Sequence, residues 1–286
     1  MAAFHVPASG RPRTVVPAIL LAVLVLAGCA AAGAPSPTVP ALTPNPTDAP
    51  TAPPPAFPVT VTDDEGTAVA IGAAPTKIVS LGADLVISGG ANFGQGDAVA
   101  QLRRANVPVL VVGPTTTSGV IADIRFIGQA TGASATANHV ADSMAAAFAT
   151  VKTATAGTAH PKVFYEIDAT GAIYTAAKGS FLEELLTLAG ADPVTTASSS
   201  AYDIPLETLV TANPSIILLG DAAYGTTADQ VKARSGWGTI AAVQSGTILA
   251  VDDTVITRPG PRLVEGLLAL VKAIHPDLVL PSFPPA

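Results

Sequence analysis

Residues 107–132 read VPVLVVGPTTTSGVIADIRFIGQATG, and this stretch sets the fold class. Val107 to Val112 is a short apolar run of the kind that forms a buried strand. Ser118 to Thr131 then places Val120, Ile121, Ile124, Ile127 and Gly128 on one side at helical spacing. A buried strand feeding an amphipathic helix is half of a βαβ unit and implies a parallel sheet.

The same alternation extends in both directions. Upstream, Val59-Thr60-Val61-Thr62, the turn Asp63-Asp64-Glu65-Gly66 and Thr67 to Ile71 read as a β-hairpin, with Gly66 supplying the positive φ. Lys77 to Leu81 and Leu85 to Ser88 read as short strands, at the limit one continuous extended segment. Asp97 to Ala105 reads as a helix. Downstream, residues 134–157 are Ala-rich without proline and predict one long helix. Val163 to Ile167 then predicts a strand, and Ser180 caps a helix reaching Ala189, with Glu183 in the capping-box position and Gly190 as the stop. A short helix bearing Glu207, strands at Ser215 to Leu219 and Ile248 to Val251, and a helix from Gly260 to Ile274 complete the pattern. Two α/β blocks separated by one long helix imply two Rossmann-like lobes on a helical spine, with a ligand crevice between them.

The N-terminus reads as an address. Arg11 and Arg13 precede an apolar run from Val15 to Gly28, shorter than the roughly 20 residues of a spanning helix and within the range of a secretory h-region. It ends Leu26-Ala27-Gly28-Cys29, which resembles the lipobox of bacterial lipoproteins, where the cysteine is acylated and becomes the mature N-terminus. The alternative is an ordinary signal peptide cleaved at a later Ala-rich site. Residues 30–58 hold ten of the 26 prolines and one charge, Asp48. Such a segment is a polyproline-rich tether, reaching at most roughly 90 Å at about 3.1 Å per residue. The expected organisation is a signal peptide over 1–28, a tether over 29–57, an N-terminal lobe over 58–133, a linking helix over 134–157 and a C-terminal lobe over 158–286. The chain is thereby placed on the outer face of the bacterial cell membrane, held by lipid at Cys29.

Composition narrows the chemistry. A net charge of -7 argues against nucleic acid, whose phosphates need clustered Lys and Arg. One cysteine excludes a disulfide framework and a thiolate zinc site. His5, His139, His160 and His275 are scattered, so no metal site is expected. There is no G-x-S-x-G elbow or P-loop, and the glycine-rich segment around Asn92 and Phe93 fits no nucleotide pattern. No enzyme and no cofactor are expected. A surface hydrolase using Glu166 and Asp168 would need a defined catalytic pair, and no second motif supplies one. Carboxylates do cluster where α/β crevices bind ligands: Glu166 and Asp168 follow one strand, Asp221 a second, Asp252 and Asp253 a third. Each could equally cap a helix or face water. With Tyr174, Tyr202, Tyr224 and Trp237 they suggest a polar, aromatic crevice.

Several of these segments together resemble the substrate-binding proteins of ABC importers for vitamin B12 and ferric siderophores. Lys77-Ile78-Val79-Ser80-Leu81, Ala83-Asp84-Leu85-Val86-Ile87, Val107-Pro108-Val109-Leu110 and SGVIADIRFIGQATG follow that family's order, as do Pro205 to Leu219, Gly236-Trp237 and Arg258-Pro259-Gly260-Pro261-Arg262. The resemblance covers nearly all of residues 58–278. It implies a class III fold with little hinge closure, a monomer, an ABC permease and ATPase as partners, and a cobalamin-like or ferric-siderophore ligand. It places ligand contacts near Asn92 and Phe93 in the first lobe and at Tyr174, Tyr202 and the Asp253–Arg258 loop in the second. Glu207 matches the family's permease-docking glutamate.

One departure stands out. Family members carry about 50 residues between the first strand and the strand matching Ala83–Ile87, including a first docking glutamate, whereas here Leu81 runs straight into Gly82-Ala83. The N-terminal lobe is therefore short of roughly one β-α-β portion, either natively or through loss of a segment. A degenerate lipoprotein with a regulatory or adhesive role is the second reading.

Overall fold

A computed structural model describes residues 57–76, 78, 84–89, 94 and 96–280. Cys29, nearly all of the tether, Asn92 and Phe93 lie outside the described residues.

The hairpin forms as expected, β1 (Val59–Thr62) pairing antiparallel with β2 (Ala68–Ile71). Its period-2 pattern buries Val61, Val69 and Ile71 against Leu85, Leu110 and Ala130. Asp63 organises the turn: its Oδ1 accepts the Glu65 and Thr67 amides at 3.1 and 2.8 Å. Its Oδ2 takes Arg103 at 2.6 Å, from the last turn of α1 (Gly96–Arg104). The N-terminal lobe's sheet, among the described residues, is one parallel pair, β3 (Val86–Ser88) and β4 (Val109–Val111). The hairpin and α2 (Thr117–Thr131) contribute to the core on one side, and Val99 of α1 packs with Val109 and Val111 on the other. Ile78 bridges Leu85 in the parallel sense. The chain therefore passes this level twice, which rules out residues 77–88 as one extended segment.

Helix α2 begins at Thr116, whose Oγ1 accepts the Gly119 amide at 3.0 Å, and ends at Gly132 with φ 80°. Helix α3 (Ser134–Thr155) is the long helix, 22 residues or about 33 Å at 1.5 Å per residue. The two cross closely: a Cβ on Gly128 would lie 2.2 Å from the Ala137 Cβ. Met144, Phe148 and Val151 of α3, with Val120 of α2, belong to the core of the C-terminal lobe. The spine is thus built into that lobe.

The C-terminal lobe is a four-stranded parallel sheet, β5 (Lys162–Glu166), β6 (Asp192–Pro193), β7 (Ile216–Leu219) and β8 (Ile248–Ala250), in the order β6-β5-β7-β8. Alternate residues feed opposite cores. Val163, Tyr165, Ile216 and Leu218 meet α3, α4 (Phe181–Leu188) and α9 (Leu263–Ile274). Phe164, Ile217 and Leu219 meet Leu209 of α5 (Leu206–Ala212), Val231 of α6 (Ala228–Lys232) and Ala242 of α7 (Ala241–Ser245). Ser180 caps α4 through the Glu183 amide, but the Glu183 carboxylate reaches back to the Gly179 amide instead of completing the box on Ser180. Four short segments were not foreseen: β6, α6, α7, and α8 (Asp253–Ile256), which Asp252 caps. A 3-10 turn over Gly220–Tyr224 also leaves β7.

Candidate functional site: the inter-lobe crevice

Strand order places the topological switch point of the C-terminal sheet at the carboxyl ends of β5 and β7. That position is filled by the protein's own side chains. Glu166 is 0% exposed, and the Arg234 guanidinium donates to both its oxygens at 2.6 and 2.7 Å. Arg234 in turn lies 4.7 Å from the centre of the Trp237 ring, which packs edge-on against Phe164 at 6.0 Å. Burial holds the Glu166 carboxyl above its ordinary range despite Arg234, and nearby Asp221 adds to the rise. Asp221 keeps Oδ2 on the Thr226 hydroxyl at 2.7 Å, and its carboxyl also hydrogen-bonds with that of Glu166 as an acid pair. A Cβ on Gly220 would lie 2.6 Å from the Tyr165 ring, so β5 and β7 close on each other here. Glu166 is therefore the clasp of an internal ion pair and lines neither of the two cavities between the lobes. Trp237, 3% exposed, is a core residue, and Tyr224, 82% exposed, lines neither crevice compartment. The expectation of aromatic crevice walls fails at these two positions because the helices after β7 turn Trp237 inward.

The crevice opens on the other side of the strand ends. A cavity of about 610 Å³ is walled by Gly113, Pro114 and Thr115 from the N-terminal lobe, and by Phe181, Tyr202, Asp253 and Pro259 among others from the C-terminal lobe. Tyr202 is 45% exposed. Asp253 accepts the Tyr165 hydroxyl at 2.8 Å and the Thr257 hydroxyl at 2.8 Å. Burial, then the Asp253 carboxylate, push the Tyr165 phenol well up, so it is a fixed neutral donor that aims Asp253. Exposed Arg258 falls between two wall residues, Thr257 and Pro259. Asp168 and Tyr174 join Tyr202 on one shoulder. Tyr174 bridges Asp168 and Asp203, and the Thr175 amide donates to the Tyr202 carbonyl at 2.8 Å. Asp168 itself accepts from Thr170, at 3.1 Å from the amide and 3.0 Å from the hydroxyl. The fold thus puts Tyr202 and Asp253 in the cavity wall, Asp168 and Tyr174 on the shoulder beside Tyr202 and Arg258 between two wall residues, with Glu166 buried against Arg234. Glu207 is exposed in the first turn of α5.

Three contributors carry no sequence signature. Glu184 of α4 accepts both the amide and the hydroxyl of Thr117, each at 2.7 Å, placing a carboxylate on the N-terminus of α2. This clamp ties the wall of the N-terminal lobe to the C-terminal lobe beside the crevice. Asp123 and Arg234 are the others. Among the described residues no three His, Cys, Asp or Glu side chains converge to hold a metal ion, and no helix is long and apolar enough to cross a membrane.

Two α/β lobes on one long helix, with a crevice between them, define a class III periplasmic-type solute-binding fold. The chain belongs to the periplasmic binding protein family, which it matches over residues 76–255. It is 33% identical over 206 residues to an uncharacterized ABC transporter substrate-binding lipoprotein of Bacillus subtilis, covering 70% of this chain and 65% of that protein. A cobalamin-binding protein of Halobacterium salinarum is 28% identical over 207 residues, 69% of this chain and 55% of that one. The match thus spans 55–65% of the length of these curated relatives. Helicobacter pylori CeuE in a nickel–histidine complex superposes with a TM-score of 0.62 at 17% identity, over 77% of this chain and 89% of that one. The vitamin B12 binding protein BtuF of Vibrio cholerae gives 0.55 at 18% identity, over 67% and 74%. At these identities the likeness to solved structures establishes the fold alone.

Proposed function

We propose that this protein is the lipid-anchored receptor of an ABC importer, which takes a cobalamin-like or ferric-siderophore complex into the inter-lobe crevice and hands it to a membrane permease. The observation that carries the reading is the crevice of about 610 Å³, walled by both lobes and set with Phe181, Tyr202 and Asp253. Aromatic faces and a few oriented polar groups are what a large, flat chelate or corrinoid needs. The name of the Halobacterium relative supports this ligand class, and the Bacillus relative supports the lipoprotein and importer assignment. Tyr202, Asp253 and Arg258 contact the ligand, with Asp168 and Tyr174 at its edge and Asn92 and Phe93 approaching from the other lobe. Glu207 pairs with a basic group of the permease, and acylated Cys29 keeps the receptor close to it. Because Glu184 and α3 tie the lobes together, binding proceeds with little closure.

Titration of the full chain in detergent with cyanocobalamin, a ferric hydroxamate and haemin tests the reading. A rise in melting temperature and saturable binding for one of them is expected. Absence of both for all three would overturn it and favour the degenerate, non-transporting lipoprotein.

A further inference from the structure

The crevice continues past Pro114 and Pro259, which line both the cavity described above and a second one of about 410 Å³. The second compartment is walled by Val112, Val120, Ile124 and Ile127 and closed by the Pro259-Gly260-Pro261 turn. Among the described residues Asp123 is the one ionisable side chain in its lining. It is 7% exposed, and among the described residues its Oδ2 has no hydrogen-bond partner. Asp64 of the hairpin turn, which accepts from the Gly113 amide at 2.7 Å, both repels the Asp123 carboxyl and hydrogen-bonds with it as an acid pair. Arg258 and Arg262 bracket the closing turn, yet neither forms an ion pair among the described residues.

A buried acceptor without a donor is costly; a proton shared with Asp64 satisfies one oxygen of the Asp123 carboxyl, and a donor that enters the cavity satisfies the other. We propose that this second compartment receives a hydrogen-bond-donating group of the ligand, an uncharged carboxamide or a protonated amine carried on an apolar frame, bound to the Asp123 carboxyl. The same carboxyl, with Asp64 behind it, selects against ligands that present an anionic group at this point, because two acids would then face a third in a largely apolar compartment. Within the ligand classes of the proposed function, on which this inference rests, it favours a neutral, amide-edged corrinoid over an anionic tris-catecholate chelate.

Binding of cyanocobalamin and of ferric enterobactin is measured on the full chain, on Asp123→Asn and on Asp123→Leu. Cyanocobalamin is expected to bind wild type at least tenfold more tightly than it binds Asp123→Leu, and ferric enterobactin to gain on either substitution. A second arm needs neither ligand: benzylamine, benzamide and benzoate are followed through the amide NMR signals of Gly113, Ile124 and Gly260. The first two should shift these signals in wild type and not in Asp123→Leu, and benzoate should shift them in neither. Cobalamin affinity indifferent to Asp123, or benzoate acting as benzylamine does, overturns the inference and leaves the receptor assignment standing. If no large ligand binds while the amine and amide still shift these signals, the receptor assignment falls and the donor site stands. Melting temperatures of both variants at or above wild type confirm that they fold.

Discussion

Replacing Asp123 with Asn should stabilise the protein at neutral and alkaline pH, and the size of the gain follows from the surroundings of the carboxyl. Burial, reinforced by Asp64, raises its pKa from 3.8 to about 7. Below about pH 4 the folded and unfolded chains both carry the proton, and Asp123 contributes nothing. Between about 4 and 7 the folded state keeps a proton that the unfolded state has released, so stability falls as pH rises. Above about 7 the loss levels off, at up to about 4 kcal/mol by 1.36 kcal/mol per pKa unit, and at about 2 kcal/mol after solvent relaxation is allowed for. An Asn amide can donate to Asp64, which removes the repulsion as well as the charge. For a chain of this size the gain corresponds to roughly 4–8 °C in melting temperature at pH 8. Calorimetric scans of both proteins from pH 4 to 8.5 should show a difference that is near zero at the acid end and grows toward neutrality. A difference that stays flat, or that shrinks with rising pH, would refute the reasoning.

Arg234→Met strands the fully buried Glu166 and should cost about 3–5 kcal/mol in urea denaturation, most of it recovered by adding Glu166→Gln. Gly266→Ala puts a Cβ 2.2 Å from the Val255 carbonyl oxygen, where α8 meets α9, and should cost about 1–3 kcal/mol in the same assay. Gly238→Ala, which meets nothing within 4 Å, is the control and should show no loss from crowding. Glu184→Ala removes both acceptors of Thr117 and should cost about 1–3 kcal/mol while speeding amide exchange over Thr117–Val120, the first turn of α2.

Secondary structure was largely legible because its causes are local. The hairpin follows from alternating Val and Thr around Gly66, α4 from the Ser180 cap and Gly190 stop, and β5 and β7 from short apolar runs. The segments missed, β6, α6, α7, α8 and the 3-10 turn after β7, are two to five residues long and depend on where the chain must go between the longer elements. Asp253 was legible as a crevice acid because it follows a strand end. Glu166 satisfies the same rule and proved internal, because its fate depends on Arg234, 68 residues away.

The amino-acid sequence alone thus determined the α/β class, the long helix between two blocks, and the family resemblance, since hydrophobic period, caps and stops act over a few residues. Tertiary structure decided which carboxylates are paired and which are left wanting. Glu166 finds a guanidinium, Glu184 finds a helix terminus, Asp253 finds a phenol, and Asp123 has one oxygen with no partner among the described residues, in an apolar compartment. Those outcomes depend on residues far apart in the chain meeting in a medium without water, where one donor more or less decides the charge of a group.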